Sequence, residues 1–398
     1  MTAKKVTVKE LIALLPTHLI NETADKTEVD YQVKKLTGEK IFHLMLMGIL
    51  DSERISLRIM ADLYKSKQFQ VYAGLEEGET TSFTSLSDRL SSIESSFFER
   101  LFQATYEVLS RNFKPSQIKG YDILRYDATS MSAPAKLLSI GMKNGKPNKD
   151  GIHTLRQMKI TVGFNGLMPK EVKFFKEQKY ANDDLAIGEV LLENKVKEDE
   201  VIVFDRGVKK RTTFEGMDEQ TKLFVTRINP TQNYKVIKTL HQVAGLRTSD
   251  LELISDEEVY LFHGHKCRKT KTTFRLIRAI RLEDGQELFF LTNIKDTPAV
   301  DITDIYKSRW DIEVLFRFLK QELNLKHFIS YSENGIKVMV YMTLIAAMLV
   351  LVYKKLNQIS GYKRAKRLFV EGLDTEIVRT IVILCGGNPD KTYHLRPT

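Results

Sequence analysis

The chain has 398 residues, of which 42% are apolar and 28% charged. That is enough to bury a sizeable core, and it excludes a disordered, collagenous or disulfide-scaffold protein. The 61 Lys and Arg against 51 Asp and Glu leave a net charge of +10, which favours a polyanionic partner. The two cysteines, Cys267 and Cys385, form no CxxC pair, and the N-terminus is Lys-rich without being apolar. The expectation is a reducing, cytoplasmic setting.

Residues 1–112 read as a helical N-terminal domain, with periodic apolar runs at Val8 to Leu19, Glu39 to Leu50 and Glu53 to Tyr64. Asp51 and Ser52 supply the expected cap between the last two. Beyond a Gly- and Glu-rich turn at 74–78, a Ser- and Thr-rich helix offers hydroxyls and Arg89 to DNA, while a protein-contact role suits the bundle equally well. From Gly120 the period changes to strands: YDILRYDATSM, KLLSIGM and RQMKITVGFNG. A helix-like DDLAIGEVLLEN then precedes VIVFDRG. Two aspartates, Asp127 and Asp205, directly follow short apolar stretches, a position that is often only a strand end meeting water.

Residues 229–300 are too long for a connection and read as a β insertion of three antiparallel strands, EEVYLFHGHKCRK, TTFRLIRAIRL and QELFFLTNI, with Asp284-Gly285 as a tight turn. Its basic edge, including Lys266, Arg268, Lys269 and Lys271, is placed to lie along a DNA strand. His263, His265 and Cys267 alternate but lack a fourth ligand at finger-like spacing, so zinc is not expected. Asp301 to Leu325 reads as one amphipathic helix: Tyr306, Arg309, Glu313 and Lys320 share a polar stripe, and Ile312, Leu315, Phe316, Leu319 and Leu323 an apolar one. Val338 to Tyr353 falls short of the ~20 residues of a membrane span and reads as a buried core helix. Residues 358–398 form a basic C-terminal segment whose densest cluster is Lys363, Arg364, Lys366 and Arg367. Neither GxxxxGK[ST] nor a strand-to-helix GxGxxG occurs, so no nucleotide cofactor is expected.

A carboxylate flanked by two permanent cations and a phenol suits a metal ion bound beside phosphates. The bland alternative is a solvated helix face with an Arg309–Glu313 pair at i, i+4. Three carboxylates cannot gather without a cation, which favours the first reading.

This constellation resembles that of the DDE transposases of bacterial insertion sequences, in the group marked by a Tyr-Arg-Glu-Lys signature. Tyr306-x-x-Arg309-x-x-x-Glu313-x-x-x-x-x-x-Lys320 is similar to that signature without a gap, and RYDATS and FDRG resemble the two aspartate motifs. The resemblance spans about residues 115 to 357, and it implies an α/β (α+β) ribonuclease-H-like mixed sheet with flanking helices over 113–357. It also implies that Asp127, Asp205 and Glu313 are both catalytic and metal-holding, with Mg²⁺ as the ion and Mn²⁺ able to substitute. Tyr306, Arg309 and Lys320 would hold DNA phosphates, with Arg206 and Arg89 as further contacts. Trp310 stands where the group often has a tryptophan, for contact or for packing. An insertion aromatic that stacks on a flipped base would be Tyr260, Phe262 or Phe274. The implied partners are double-stranded DNA, as transposon ends and target, and a second copy in a paired-end homodimer. No membrane is implied, and the setting is the bacterial cytoplasm at the nucleoid. The expected activity is cut-and-paste transposition through a hairpin intermediate. A non-transposing nuclease of the same fold and a sequence-specific DNA-binding regulator are the rival readings.

Overall fold

A computed structural model of the chain describes residues 6–76, 78–264 and 268–391. The helices α1 (Val8–Ile12), α2 (Thr17–Thr27), α3 (Gly38–Asp51), α4 (Leu57–Lys65), α5 (Lys67–Tyr72), α6 (Phe83–Ser92) and α7 (Ser95–Asn112) open it. Hydroxyl caps fix most of their starts: Thr7, Thr37, Ser56, Ser66 and Ser82 each accept a first-turn N–H. The expected run from Val8 to Leu19 is divided at Pro16, which caps α2. Likewise α4 starts at Leu57 behind Ser56, four residues later than the Asp51–Ser52 cap suggested.

The central part follows as β1 (Asp122–Pro134), β2 (Met142–Asn144), β3 (Leu155–Phe164), β4 (Pro169–Phe175), α8 (Asp183–Glu193), β5 (Glu200–Phe204), α9 (Arg211–Glu219) and β6 (Leu223–Ile228). Next come β7 (Tyr234–His241), β8 (Leu251–His263), β9 (Arg268–Lys269), β10 (Phe274–Arg281) and β11 (Glu287–Thr292). Four helices close the described chain: α10 (Ala299–Lys307), α11 (Trp310–Glu322), α12 (Glu333–Leu356) and α13 (Tyr362–Leu384).

One sheet holds these strands, in the order β2-β3-β1-β5-β6-β11-β10-β8-β7, with β4 also on β3 and β9 on β8. Antiparallel β4, β3 and β1 lead into parallel β5 and β6, which is the ribonuclease-H-like order. Parallel strands are covered on both faces, and every residue of β5 is accordingly buried. On one face α8 and α9 pack over Leu124, Tyr126, Ile202, Phe204 and Phe224. On the other, α10 brings Ile302, Ile305 and Tyr306 onto Ile123, Val201, Val203 and Val225.

KLLSIGM contributes only Met142, the first residue of the short strand β2, the rest being turn and loop. The β insertion is antiparallel, and because β11 pairs with β6 its strands β10, β8 and β7 prolong the core sheet. Between β10 and β11 the loop spans 282–286, where Gly285 takes φ +70° and the Asp284 carboxylate accepts from Gln286 N–H and Arg281 Nε. That is a longer connection than the two-residue turn its Asp-Gly pair suggested.

α12 is the axis of the helical half. Among the described residues it alone is long and apolar enough to cross a membrane, yet nearly all of that stretch is buried inside the protein. It joins α3, α6, α7, α11 and α13 and the β3–β4 edge in one hydrophobic cluster.

Candidate active site

β1 and β5 place the two aspartates. In their parallel register Tyr126 stands opposite Phe204, so Asp127 and Asp205 are the next residues on adjacent strands, whose backbones lie ~4.8 Å apart. Alternation turns both side chains to one face, since Ile123 of β1 and Val201 and Val203 of β5 belong to the cluster under α10. Asp127 does not end its strand, as the sequence suggested. β1 runs on to Pro134 against β3, and only the parallel pairing stops beside it.

The helix expected over 301–325 is two helices. α10 ends at Lys307 and α11 starts at Trp310, and Ser308 and Arg309 between them stay in right-handed helical geometry with 3₁₀-type bonds. Arg125 clamps this junction. Its guanidinium, 3% exposed, donates from Nε to the Ser308 carbonyl at 2.8 Å and pairs with Asp311 at 3.0 Å. Gly166, at φ +89°, makes room for it, because a Cβ there would come within 2.9 Å of the Arg125 guanidinium. The clamp thus fixes the end of α10, with Tyr306, against the start of α11, with Arg309 and Glu313.

The site is a cluster of strongly interacting groups. Arg309 donates to Glu313 Oε1 at 2.6 Å, lies 5.9 Å from the centre of the Tyr306 ring and keeps its buried Nε without a partner. Burial, together with the charges of Asp205 and Glu313, pushes the Asp127 carboxyl up to about 6, against the pull of the Ala128 N–H and Arg309. Burial also lowers the Lys320 ammonium, and Lys326 adds to this while Asp127 opposes it. Tyr306 is buried against Phe290, and burial raises its phenol.

Sequence reading missed Arg227. Thr226 of β6 stands opposite Phe204, so Arg227 is level with Asp205 on the next strand and faces the same side. Its guanidinium sits 5.9 Å from the Tyr306 ring centre, and its buried Nε has no partner. A lone arginine in TRINP carries no motif, and only the register could have found it.

The other candidates separate. Arg206 is exposed next to Asp205. Arg89 does not face outward: it donates to the Leu36 and Val29 carbonyls and to Asp30, and so ties α6 to the loop between α2 and α3. Arg268 and Lys269 are exposed on β9, Lys269 lying over the Tyr260 ring, while Lys271 pairs with Glu219. Lys266, His265 and Cys267 lie outside the described residues. Phe274 is fully buried in the core, which removes it as a base-stacking group and leaves Tyr260 and Phe262, both half-buried. Trp310 is 53% exposed with Arg317 beside it, so it does not fill a core position.

Among the described residues no three acidic, His or Cys side chains converge closely enough to enclose a metal unaided. The donor chemistry nevertheless fits a hard divalent cation. Asp127 is a carboxylate short of positive charge, it shares its face with Asp205, and Glu313 needs only to exchange Arg309 for an ion shared with substrate oxygens.

Residues 118–349 match the family model of the transposase DDE domain. A protein of Synechocystis sp. named as a transposase for insertion sequence element IS4SA is 23% identical over 84% of this chain and 85% of its own length. A Geobacillus stearothermophilus protein named as a transposase for element IS5377 is 28% identical over 38% of each chain. A Sinorhizobium fredii protein named as transposase y4zB is 28% identical over 40% of this chain and 44% of its own. The chain therefore spans less than half the length of the last two. In fold it is similar to piggyBac transposase, solved by cryo-EM in a synaptic complex with hairpin DNA, at a TM-score of 0.51 and 9% identity over 96% of this chain and 83% of that one.

Proposed function

Because the chain belongs to the transposase DDE domain family, which implies a divalent metal cofactor, we propose that it is a cut-and-paste transposase that binds the inverted ends of a DNA element, cleaves them and joins them to a target. The observation that carries this reading is the register that sets Asp127 beside Asp205, on the face where the Arg125 clamp presents Glu313 and Arg309. Asp127, Asp205 and Glu313 hold the metal, for which we propose Mg²⁺ with Mn²⁺ able to substitute, since all donors are hard oxygens. When bound, the ion supplies Lewis-acid charge to the attacking and leaving oxygens of phosphodiester transfer.

The chain's own groups do the rest. Arg309 releases Glu313 and turns its unpartnered Nε to a phosphate, Lys320 steadies a second phosphate as a point charge, and the Tyr306 ring orients Arg309 and Arg227 from between them. With one such site among the described residues, both strands of an end are cut in succession. The 3′-hydroxyl freed by the first cut, already held in place, attacks the phosphodiester of the opposite strand, expels the 3′-hydroxyl of the flanking DNA and closes a hairpin on the end. Water then opens that hairpin at the same site and restores the 3′-hydroxyl that joins the target, and hairpin DNA is what the piggyBac complex holds. Two copies pair two ends, and the work is done where bacterial chromosomal DNA lies.

The test is cleavage of end-labelled duplex carrying the element's inverted repeat. Wild type with Mg²⁺ should give a nick, then a transient covalently closed strand on a denaturing gel. Asp127→Asn, Asp205→Asn and Glu313→Gln should each abolish both products while end-binding stays within about twofold, because those carboxylates position metal and not DNA. Cleavage surviving in any one of them would overturn the assignment. Cleavage without strand transfer would leave a nuclease.

A further inference from the structure

A groove of about 490 Å³ lies at the far end of β1, the strand that carries Asp127, and the sequence reading gave none of its residues a role. Its walls come from four places: the loop entering α4, the start of α6, the end of β1 at Ser132–Pro134, and the loop between α11 and α12. Arg54, Arg58 and Lys326 line it and are exposed, and no carboxylate does. Aromatic rings interleave with these cations. Phe83 is 45% exposed with the Arg58 guanidinium 5.6 Å from its centre, and Tyr331 lies half-buried against Phe328.

The groove and the site share two elements: β1 carries Asp127 and Ser132–Pro134, and α11 carries Glu313 and Lys320 and leads into the loop with Lys326. Ser132 is on the same strand as Asp127, five residues and about 17 Å away at the rise of a β-strand. Lys320 links the two, since its charge senses both Lys326 and Asp127. A row of cations with no acidic lining is the electrostatic counterpart of a phosphate backbone, and rings set among cations are the platform on which unpaired bases stack.

We propose that this groove holds a DNA strand about five nucleotides from the point of cleavage, at ~3.4 Å per step, with Arg54, Arg58 and Lys326 on its phosphates and Phe83 or Tyr331 under an unpaired base. The assignment rests on the reading of the chain as a DNA-cleaving transposase.

The test uses the full-length protein and fluorescence anisotropy with a 20-nucleotide oligodeoxythymidylate over a range of salt. Arg54→Ala/Arg58→Ala/Lys326→Ala should flatten the log–log salt dependence by about two units, three phosphates at ~0.7 each. Phe83→Ala/Tyr331→Ala should weaken binding about tenfold and leave the slope alone. Bromodeoxyuridine oligonucleotides photo-cross-linked to wild type should mark Phe83 or Tyr331 by mass spectrometry, which requires no variant to fold. Unchanged slope and affinity in both variants, or cross-links confined to other segments, would overturn the groove. The transposase reading is tested apart, by Mg²⁺-dependent nicking in wild type, and it survives that failure. A wild type that binds no DNA would overturn both.

Discussion

Asp127 is the residue at which charge, burial and the proposed chemistry meet. Its carboxyl, raised to about 6 mainly by burial and then by Asp205 and Glu313, holds a proton that the unfolded chain releases near 4. Without metal, then, the native state binds more protons between these values. Stability contributed by that proton is present below about pH 4 and lost as pH rises through about 6, by roughly 3 kcal/mol at most and less where water screens the group. Asp127→Asn should therefore raise the metal-free melting temperature at pH 8 by several degrees and leave it unchanged at pH 4, as differential scanning fluorimetry would read. Adding Mg²⁺ at pH 8 should stabilise wild type and not the variant, and equal shifts in both would remove Asp127 from the metal site. Arg227 keeps a buried Nε without a partner beside the Tyr306 ring, and a phosphate arriving there would supply one. Arg227→Ala should slow cleavage by about 100-fold, the loss expected for one preorganised charge. Arg227→Lys should not restore it, since an ammonium lacks the fork. An unchanged cleavage rate in Arg227→Ala would make the residue structural only.

At the scale of elements, the junction of α10 and α11 decides how four side chains meet, and its clamp is testable. Arg125→Met would remove one donor each from the Ser308 and Ile123 carbonyls and the cation paired with Asp311, while Ser308 keeps the Asp311 N–H. It should cost about 1–3 kcal/mol, as loss of buried hydrogen bonds to a charged donor does. It should also speed hydrogen exchange across residues 306–313 more than in β10 and β11, and uniform acceleration would show a general loss of stability with no special role at the junction. This junction also marks where the sequence stopped being readable. Ser308 and Arg309 keep right-handed helical angles, so the apolar spacing of Ile302, Ile305, Ile312 and Leu315 runs through the break almost in phase and reads as one helix. What breaks it is an arginine more than 180 residues earlier, and local periodicity cannot register a non-local bond. β7 escaped notice for a different reason, being an edge strand whose middle residues are all exposed, with no buried face to alternate. The positions of Asp127 and Asp205 on neighbouring strands were legible because each follows a short buried apolar run, although only VIVF ends its strand there, DILRY running on to Pro134. Arg89 misled for the converse reason, since a lone arginine on a Ser-rich helix looks the same whether it meets DNA or two carbonyls.

Over the whole molecule, α12 determines what can fold alone. It is apolar around its full circumference, and its buried residues from Ile336 to Val352 meet α3, α6 and α7 on one side and α11, α13 and the β3–β4 edge on others. Apart from α3 and α7 the N-terminal helices are no longer than 11 residues, below the length at which helices persist in water, so their stability comes from this shared packing. Residues 1–112 expressed by themselves would expose the faces of α3 and α7 that α12 covers, at about 2 kcal/mol for each large side chain uncovered. A domain is stable by only about 5–15 kcal/mol, so a handful of such losses unfolds it. The fragment should accordingly show weak helical circular dichroism, bind ANS and melt without a cooperative transition. Adding residues 113–398 as a second chain should restore the native spectrum, because α12 then arrives in trans. A cooperative melt by the isolated fragment would mean that the helical half has a core of its own, and that its placement relative to the active site is not set by α12. If the fragment does depend on α12, the wall of the groove that carries Arg54, Arg58 and Phe83 is held at a fixed distance from Asp127 by the same helix that completes the core, and DNA bound there would be presented to the carboxylates by a rigid body.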